Sequence, residues 1–205
     1  MPRIARTIPD EGVLHVIANR NNNRKLFRKE KDYNFLLRLI YEYKTRYLCS
    51  VYHYALMSTH VHLIIEIAEK ARISKMMHGV CMRYASYYNK KYGLKGHFWQ
   101  DRFKSPIIAD DEYLLRCGLY IEKNPVEAGI INKPEDYKWS SYNFYAFGEK
   151  NDILTVSPFY KGLGESPEER QIAYRALMRM RLAEAREAKL AEKERLPEIT
   201  ETNVS

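Results

Sequence analysis

Hydrophobic and polar positions follow two periods along the chain, and their order predicts the order of secondary-structure elements. Four runs rich in β-branched and aromatic residues predict strands, at residues 13–18, 47–57, 60–67 and 97–109. Apolar residues at helical spacing predict three helices, which begin at residues 32, 73 and 111. The predicted order is β-α-β-β-α-β, followed by one more helix.

This order predicts an α+β fold of the ferredoxin-like (RRM-like) kind. In that arrangement an antiparallel sheet carries its helices on one face and leaves the other face free. The strands at 47–57 and 60–67 are close enough in sequence to form a hairpin. An open sheet face beside basic loops is a common platform for single-stranded nucleic acid.

The carboxy-terminal part of the chain predicts a helical extension. Ser166-Pro167-Glu168-Glu169 is a typical helix start, and an Ala/Leu/Arg/Glu-rich stretch follows it until Pro197. We therefore expect a main domain at residues 1–164 and a C-terminal helix with a disordered tail at residues 165–205.

The excess of positive over negative charge lies in the main domain. The chain has 34 Lys and Arg against 26 Asp and Glu, for a net charge of +8. Residues 165–205 hold eight basic and nine acidic side chains, so residues 1–164 carry +9. With 17 tyrosines in the chain, this surplus favours a nucleic-acid partner. The 45% hydrophobic content argues against global disorder.

Neither a membrane span nor a disulfide framework is predicted. No apolar stretch approaches the roughly 18 to 20 residues that a bilayer-spanning helix needs. The three cysteines are odd in number and widely spaced, which indicates reduced thiols. We therefore expect a cytoplasmic protein with no membrane partner.

The sharpest local feature is the pair His60 and His62 in the third predicted strand. Side chains alternate along a strand, so Val61, Leu63 and Ile65 face the core and the two histidines share the opposite face. Two imidazoles at this spacing suit one divalent cation. The alternative is a pair of partly exposed histidines without a ligand, because this spacing alone is not specific.

The third predicted helix carries the other candidate group. Tyr120 and Asn124 lie one turn apart on one face, and Arg116 lies one turn before them. A phenol and an amide oxygen could supply a nucleophile and a metal ligand. The alternative is an ordinary tyrosine on a half-buried face, with Asn124 ending the helix before Pro125.

Several ordered motifs resemble the REP-associated tyrosine transposases, relatives of single-tyrosine insertion-sequence transposases of the HUH superfamily. The resemblance extends over residues 13 to about 165. His60-Val61-His62 matches the HUH (His, hydrophobic, His) motif. The other matching stretches are HV at 15–16, NR at 19–20, YALMSTHVHL at 54–63, GHFWQDRFK at 96–104, YLL at 113–115, YIEKNPVEAG at 120–129 and DYKWSSY at 136–142.

The resemblance implies a transposase that cuts and rejoins single-stranded DNA with hairpin structure. Tyr120 would be the nucleophile, giving a 5′-phosphotyrosyl intermediate. His60, His62 and Asn124 would hold Mg²⁺ or Mn²⁺. A second copy of the chain, in a homodimer, is also considered as a partner.

The chain departs from the family pattern near both histidines and in the first loop. Ser58-Thr59 stands where the family often has Pro-Asn, and Asn21 stands where it has Gly. These departures remove no catalytic group. They affect loops, and therefore which DNA hairpin is recognised.

Basic side chains outside the motifs are candidates for contacts with DNA phosphates. The predicted contacts are Arg20, Arg24, Lys25, Arg28, Arg102, Lys104 and Arg116. Two functions compete with the transposase: a non-catalytic RRM-like module that binds single-stranded nucleic acid, and a zinc hydrolase that does not need Tyr120.

Overall fold

The computed structural model describes residues 8–195, and describes side chains up to residue 191. The strands are β1 (Gly12–Asn19), β2 (Ser50–Leu56), β3 (His60–Ile67) and β4 (Ile107–Ile108). The helices are α1 (Glu30–Arg46), α2 (Lys70–Tyr92), α3 (Asp111–Glu127), α4 (Tyr142–Phe147), α5 (Pro158–Lys161) and α6 (Pro167–Arg195).

The four strands form one antiparallel sheet in the order β2-β3-β1-β4. In the central pair, Leu14 lies opposite Ile65 and Ile17 lies opposite His62. The segment before α4 extends the outer edge of β2, since the Leu56 N–H donates to the Trp139 carbonyl at 2.9 Å. The predicted α+β class is confirmed, and the elements follow the predicted order as far as α3.

One face of the sheet forms the main hydrophobic core with α1 and α2. Alternate residues of the central strands, including Val16 and Leu63, pack against Leu39 of α1 and Tyr84 of α2. All four side chains are buried. Burial of each such side chain contributes about 1.5 to 3 kcal/mol, so this face holds the helices in place.

The opposite face is partly covered by α3, and the expectation of a free face was wrong. Cys117 and Ile121 of α3 pack against Ala55 and Ile64 of the sheet. Burial of the apolar stripe on α3 stabilises the helix, and the sheet supplies the apolar surface that covers it. The histidine face of β3 therefore lies beside a helix.

Two predicted boundaries also change. Residues 97–109 give only the short β4 and single bridges at Trp99 and Lys104, and Pro106 provides no N–H for a continuous ladder. Pro125 does not end α3, which continues to Glu127. It removes one backbone donor near the helix end, where the Ala128 N–H still donates to the Asn124 carbonyl at 2.9 Å.

The carboxy-terminal helices pack on the outer side of α3. Leu119 of α3 contacts a cluster that includes Tyr145, Tyr160 and Tyr174. The predicted start of α6 is confirmed, since the Glu169 N–H donates to Ser166 Oγ at 3.1 Å. The division at residue 164 stays a prediction, and the predicted helix end at Pro197 and the predicted tail lie outside the described residues.

Within the described part of the chain, no helix combines the length and the apolar character needed to cross a bilayer.

Candidate active site

An open cavity of about 830 Å³ lies where β1, β3 and α3 meet. Its lining includes His60 and His62 from β3, Tyr120 and Asn124 from α3, Lys104 and, from α6, Lys189. The two elements that the sequence singled out thus contribute to one space. Four predicted site residues line it together with one of the predicted DNA contacts.

His60 and His62 of β3 each make a hydrogen bond through their own Nδ1 atom. His62 Nδ1 lies 2.9 Å from Nε2 of His15 on β1, and His60 Nδ1 lies 3.0 Å from Thr59 Oγ1. The two rings are 4.7 Å apart between centroids and nearly perpendicular, at 87°. Among the described residues, their hydrogen bonds engage Nδ1 and leave each Nε2 to bind another group.

Burial keeps these imidazoles neutral. Burial lowers the pKa of His15 and of His60. The pKa of His62 falls to about 3, chiefly through burial, with repulsion from the neighbouring His60 and His15 rings adding to it. A neutral imidazole has a lone pair on one nitrogen, which is the form that binds a metal ion.

Tyr120 reaches the histidines from α3 of the same chain. Its ring centroid lies 6.4 Å from that of His62, edge to face at 80°, and the side chain is 47% exposed. Lys123 Nζ lies 5.7 Å from the Tyr120 ring centroid and pairs with Glu127 at 2.7 Å. An exposed phenol beside positive charge can meet a phosphate.

The donors in the cavity fit a divalent cation. His60 and His62 offer two imidazole nitrogens, and Asn124, half-buried and lining the same cavity, offers an amide oxygen. In the described part of the chain, no three His, Cys, Asp or Glu side chains form a group that could hold a metal. The set therefore depends on Asn124, which adds an oxygen donor to the two imidazole nitrogens.

Arg20 lies away from solvent, which contradicts its predicted contact with DNA. The residue is 4% exposed, and its guanidinium lies 3.7 Å from the Phe98 ring centroid and donates to the Phe98 carbonyl. The Arg20 N–H donates to the Thr59 carbonyl at 2.8 Å. Arg20 therefore ties the end of β1 to the loops on either side of the cavity.

The other basic residues of the first loop are exposed on a surface that is held rigidly. Arg24, Lys25 and Arg28 are exposed. Their backbone is tied to neighbouring elements, since Tyr88 Oη of α2 donates to the Lys25 carbonyl at 3.0 Å and the Arg28 N–H donates to Asp32 at 2.9 Å. A fixed basic loop is consistent with the predicted phosphate contacts, which stay predictions.

The remaining predicted DNA contacts lie at different distances from the cavity. Lys104 lines it. Arg102 is exposed on the neighbouring loop outside its lining. Arg116 is exposed one turn before Tyr120 on α3, with Glu112 at 3.9 Å.

Sequence reasoning interpreted His15 as structural or DNA-adjacent without linking it to His62, and it did not single out Lys189. The alternation in β1 contained a signal for His15, because Leu14 and Val16 face the core and place His15 on the histidine side. No local pattern identified Lys189, which reaches the cavity on a helix distant in sequence and donates to the Glu127 carbonyl at 2.8 Å.

Comparison with known proteins identifies the family of this chain. The family described as "Transposase IS200 like" matches residues 11–124, more than half of the chain. The chain belongs to the IS200-like transposase family. The matched region includes both histidines, Tyr120 and Asn124, whereas α4, α5 and α6 lie outside it.

Similar proteins carry transposase names. A Haemophilus influenzae protein named as a candidate REP-associated tyrosine transposase is 24% identical over 134 residues, which is 56% of this chain and 75% of that protein. A solved REP-associated tyrosine transposase bound to a REP hairpin aligns with a TM-score of 0.60 at 21% identity, covering 76% of this chain and 92% of that one. A candidate Deinococcus radiodurans transposase aligns over 60% and 97% of the two chains, at 14% identity and a TM-score of 0.41.

Proposed function

We propose that this member of the IS200-like transposase family cuts and rejoins single-stranded DNA with hairpin structure through a covalent bond to Tyr120. The observation that carries this proposal is the meeting of His60, His62, Tyr120 and Asn124 around one open cavity. The hairpin bound by the structurally similar REP-associated transposase supports the choice of substrate. Within the main domain, the charge of +9 favours a polyanion.

Tyr120 supplies the nucleophile in the proposed reaction. Its phenolic oxygen attacks the scissile phosphorus after losing its proton, a P–O bond forms, and the bond from phosphorus to the 3′ oxygen breaks. The leaving oxygen takes up a proton and becomes a free 3′-hydroxyl, while the downstream strand stays on the enzyme as a 5′-phosphotyrosyl ester. Because one ester replaces another, a 3′-hydroxyl can reverse the step and join strands without ATP.

His60, His62 and Asn124 would hold the Mg²⁺ or Mn²⁺ that the family resemblance implies. When bound, such an ion supplies Lewis-acid polarisation of a phosphate oxygen. His15 and Thr59 orient the two imidazoles through Nδ1. Lys104 and Lys189 add positive charge to the cavity wall, which favours the approach of a phosphate.

The proposal is tested by trapping the covalent product. Purified protein is incubated with Mn²⁺ and a library of 3′-labelled single-stranded hairpins that have randomised flanks. We expect a labelled protein band on a denaturing gel, which EDTA abolishes and a 5′ label does not reveal. Tyr120→Phe should reduce the band by at least about 1,000-fold, since no other group replaces the nucleophile.

Tyr113→Phe is the matched control. Tyr113 lies on the same helix and is 43% exposed, close to the 47% of Tyr120, so loss of its hydroxyl should leave the adduct unchanged. No adduct from wild type on any hairpin would favour the RRM-like binding module. Metal-dependent cleavage that persists in Tyr120→Phe would instead favour a zinc hydrolase.

A further inference from the structure

Glu122 is a fully buried carboxylate on the helix that carries Tyr120, and the proposed reaction does not use it. Its exposed fraction is 0%. Oε1 accepts a hydrogen bond from Ser141 Oγ and lies 2.9 Å from His53 Nδ1, while Oε2 accepts from Tyr174 Oη at 2.7 Å. These three partners belong to β2, the segment before α4, and α6.

Such a carboxylate is tolerated only when its partners are in place. Removing an ionised group from water costs several kcal/mol unless charge-assisted hydrogen bonds replace the lost solvation. The hydrogen-bond partners of Glu122 come from three separate elements, and together they fix the position of α3. This network of Glu122, His53, Ser141 and Tyr174 therefore restricts both rotation and sliding of α3.

The packing around the network is close on the same face of α3. Gly118 lies one turn before Glu122, and a Cβ at Gly118 would lie 2.6 Å from His53 Cε1. The absence of a side chain lets the imidazole approach the helix. His53 also stacks on Tyr145 at 4.5 Å between ring centroids, so it has little freedom to follow a displaced α3.

The reacting groups lie on a different face of the same helix. A two-residue step along a helix corresponds to about 200°, so Glu122 faces roughly away from Tyr120 and Asn124. A small rotation of α3 about its axis would therefore move Tyr120 and Asn124 relative to His60 and His62 on β3. Displacements of about 1 Å in a reacting group can lower a rate by about 100-fold.

We propose that Glu122 is a positioning residue: its network sets the orientation of α3, and through Tyr174 it makes the C-terminal helix α6 part of the catalytic apparatus. This inference rests on the proposed function, in which Tyr120 is the nucleophile. It gives a positioning role to α6, which lies outside the region matched by the family.

Tyr174→Phe tests the proposal, because it removes one hydroxyl from the network and keeps the ring. Tyr160→Phe is the matched control. Tyr160 belongs to the same aromatic cluster, but its Oη donates to the Tyr145 carbonyl at 2.8 Å and not to Glu122. Three quantities are measured for each variant: melting temperature, hairpin affinity in EDTA, and the single-turnover rate of adduct formation at saturating hairpin and Mn²⁺.

We expect Tyr174→Phe to lower the single-turnover rate about 10-fold while hairpin affinity stays within about 2-fold of wild type. Tyr160→Phe should lower the melting temperature by a similar amount and leave the rate unchanged. All rates are measured well below each melting temperature. A merely structural role for Tyr174 would lower stability in both variants and the rate in neither.

Glu122→Gln provides a second route, since it keeps the shape of the side chain and removes its charge. We expect the rate to fall, and the double variant with Tyr174→Phe to be no slower than the slower single variant, because both act through one network. Equal rates for wild type, Tyr174→Phe and Glu122→Gln would overturn the inference and leave the proposed function intact. An adduct that persists in Tyr120→Phe would instead contradict the proposed function.

Discussion

Each face of the central sheet has a buried carboxylate beside it, Asp32 on one face and Glu122 on the other. The two carboxylates have different hydrogen-bond partners. Asp32, at the start of α1, accepts hydrogen bonds from Lys91 Nζ, from Tyr92 Oη and from two backbone N–H groups. Glu122, on α3, is held by side chains from β2, the α4 segment and α6. Both are 0% exposed.

Asp32 and Glu122 also hold different parts of the protein in place. Asp32 ties a basic loop to the end of α2, beside a core of aliphatic and aromatic side chains. Glu122 ties the helix of Tyr120 to the rest of the protein, on the face that carries the histidines. Under the proposed function, one face mainly stabilises the fold, whereas the other positions chemical groups.

Variants of His15 should produce the largest effect on the histidine face. Its ring accepts the Nδ1 proton of His62 when His62 binds a cation through Nε2, so its loss should lower Mn²⁺ affinity about 10- to 100-fold. We expect this in His15→Leu, with partial recovery in His15→Gln, whose amide oxygen can accept the proton. The measurement is a Mn²⁺ titration followed by electron paramagnetic resonance.

His78→Leu is the control for this titration, because His78 is exposed on α2, on the other side of the sheet. Its Mn²⁺ affinity should equal that of wild type. An unchanged Mn²⁺ affinity in His15→Leu would contradict a positioning role for the histidine face.

Asp32→Asn tests the opposite face and should change stability rather than chemistry. Burial raises the pKa of Asp32, but hydrogen bonds from Lys91, Tyr92 and the Arg28 and Lys29 backbone outweigh it and lower that pKa to about 2. Because the pKa is lower in the folded protein, the stabilisation is complete above about pH 4 and is lost as the pH falls towards about 2. We expect Asp32→Asn to lose about 2 kcal/mol at pH 7.

Urea unfolding from pH 7 to pH 2 measures this loss. The difference between wild type and Asp32→Asn should shrink as the pH falls, while the adduct rate at saturating DNA stays that of wild type at pH 7. If the adduct rate of Asp32→Asn fell as far as that of Glu122→Gln, both faces would affect the chemistry, and the contrast between them would be wrong.

Lys189→Ala should have the smallest effect. Lys189 lines the cavity and is exposed, so it can contact one phosphate without holding the fold. We expect hairpin affinity to weaken a few-fold and the slope of log affinity against log salt to lose about one unit. Arg179→Ala, on the same helix outside the cavity lining, should leave both unchanged, and equal effects in the two variants would exclude Lys189 from the DNA contact.

Local periodicity predicted the parts of the site that depend on one element at a time. Alternation in β3 put His60 and His62 on the face away from the core, and helical spacing put Tyr120 and Asn124 on one face of α3. Family resemblance supplied the expectation that these two faces meet. The observed cavity brings them together.

Contacts between distant parts of the chain could not be predicted in this way. Arg20 was interpreted as a surface cation, and its burial depends on Phe98, which follows it by 78 residues. The partners of Glu122 are 69, 19 and 52 residues away in sequence. The placement of α3 likewise depends on which sheet face remains uncovered, which is decided by tertiary packing.

Locating the DNA on the protein tests the central claim most directly. The trapped adduct is digested with nuclease and trypsin, and the peptides are analysed by mass spectrometry. Trypsin should release Cys117 to Lys123 as one peptide, CGLYIEK, in which Tyr120 is the only tyrosine. The account predicts that the nucleotide remnant lies on this peptide; a remnant on any of the other 16 tyrosines would contradict it.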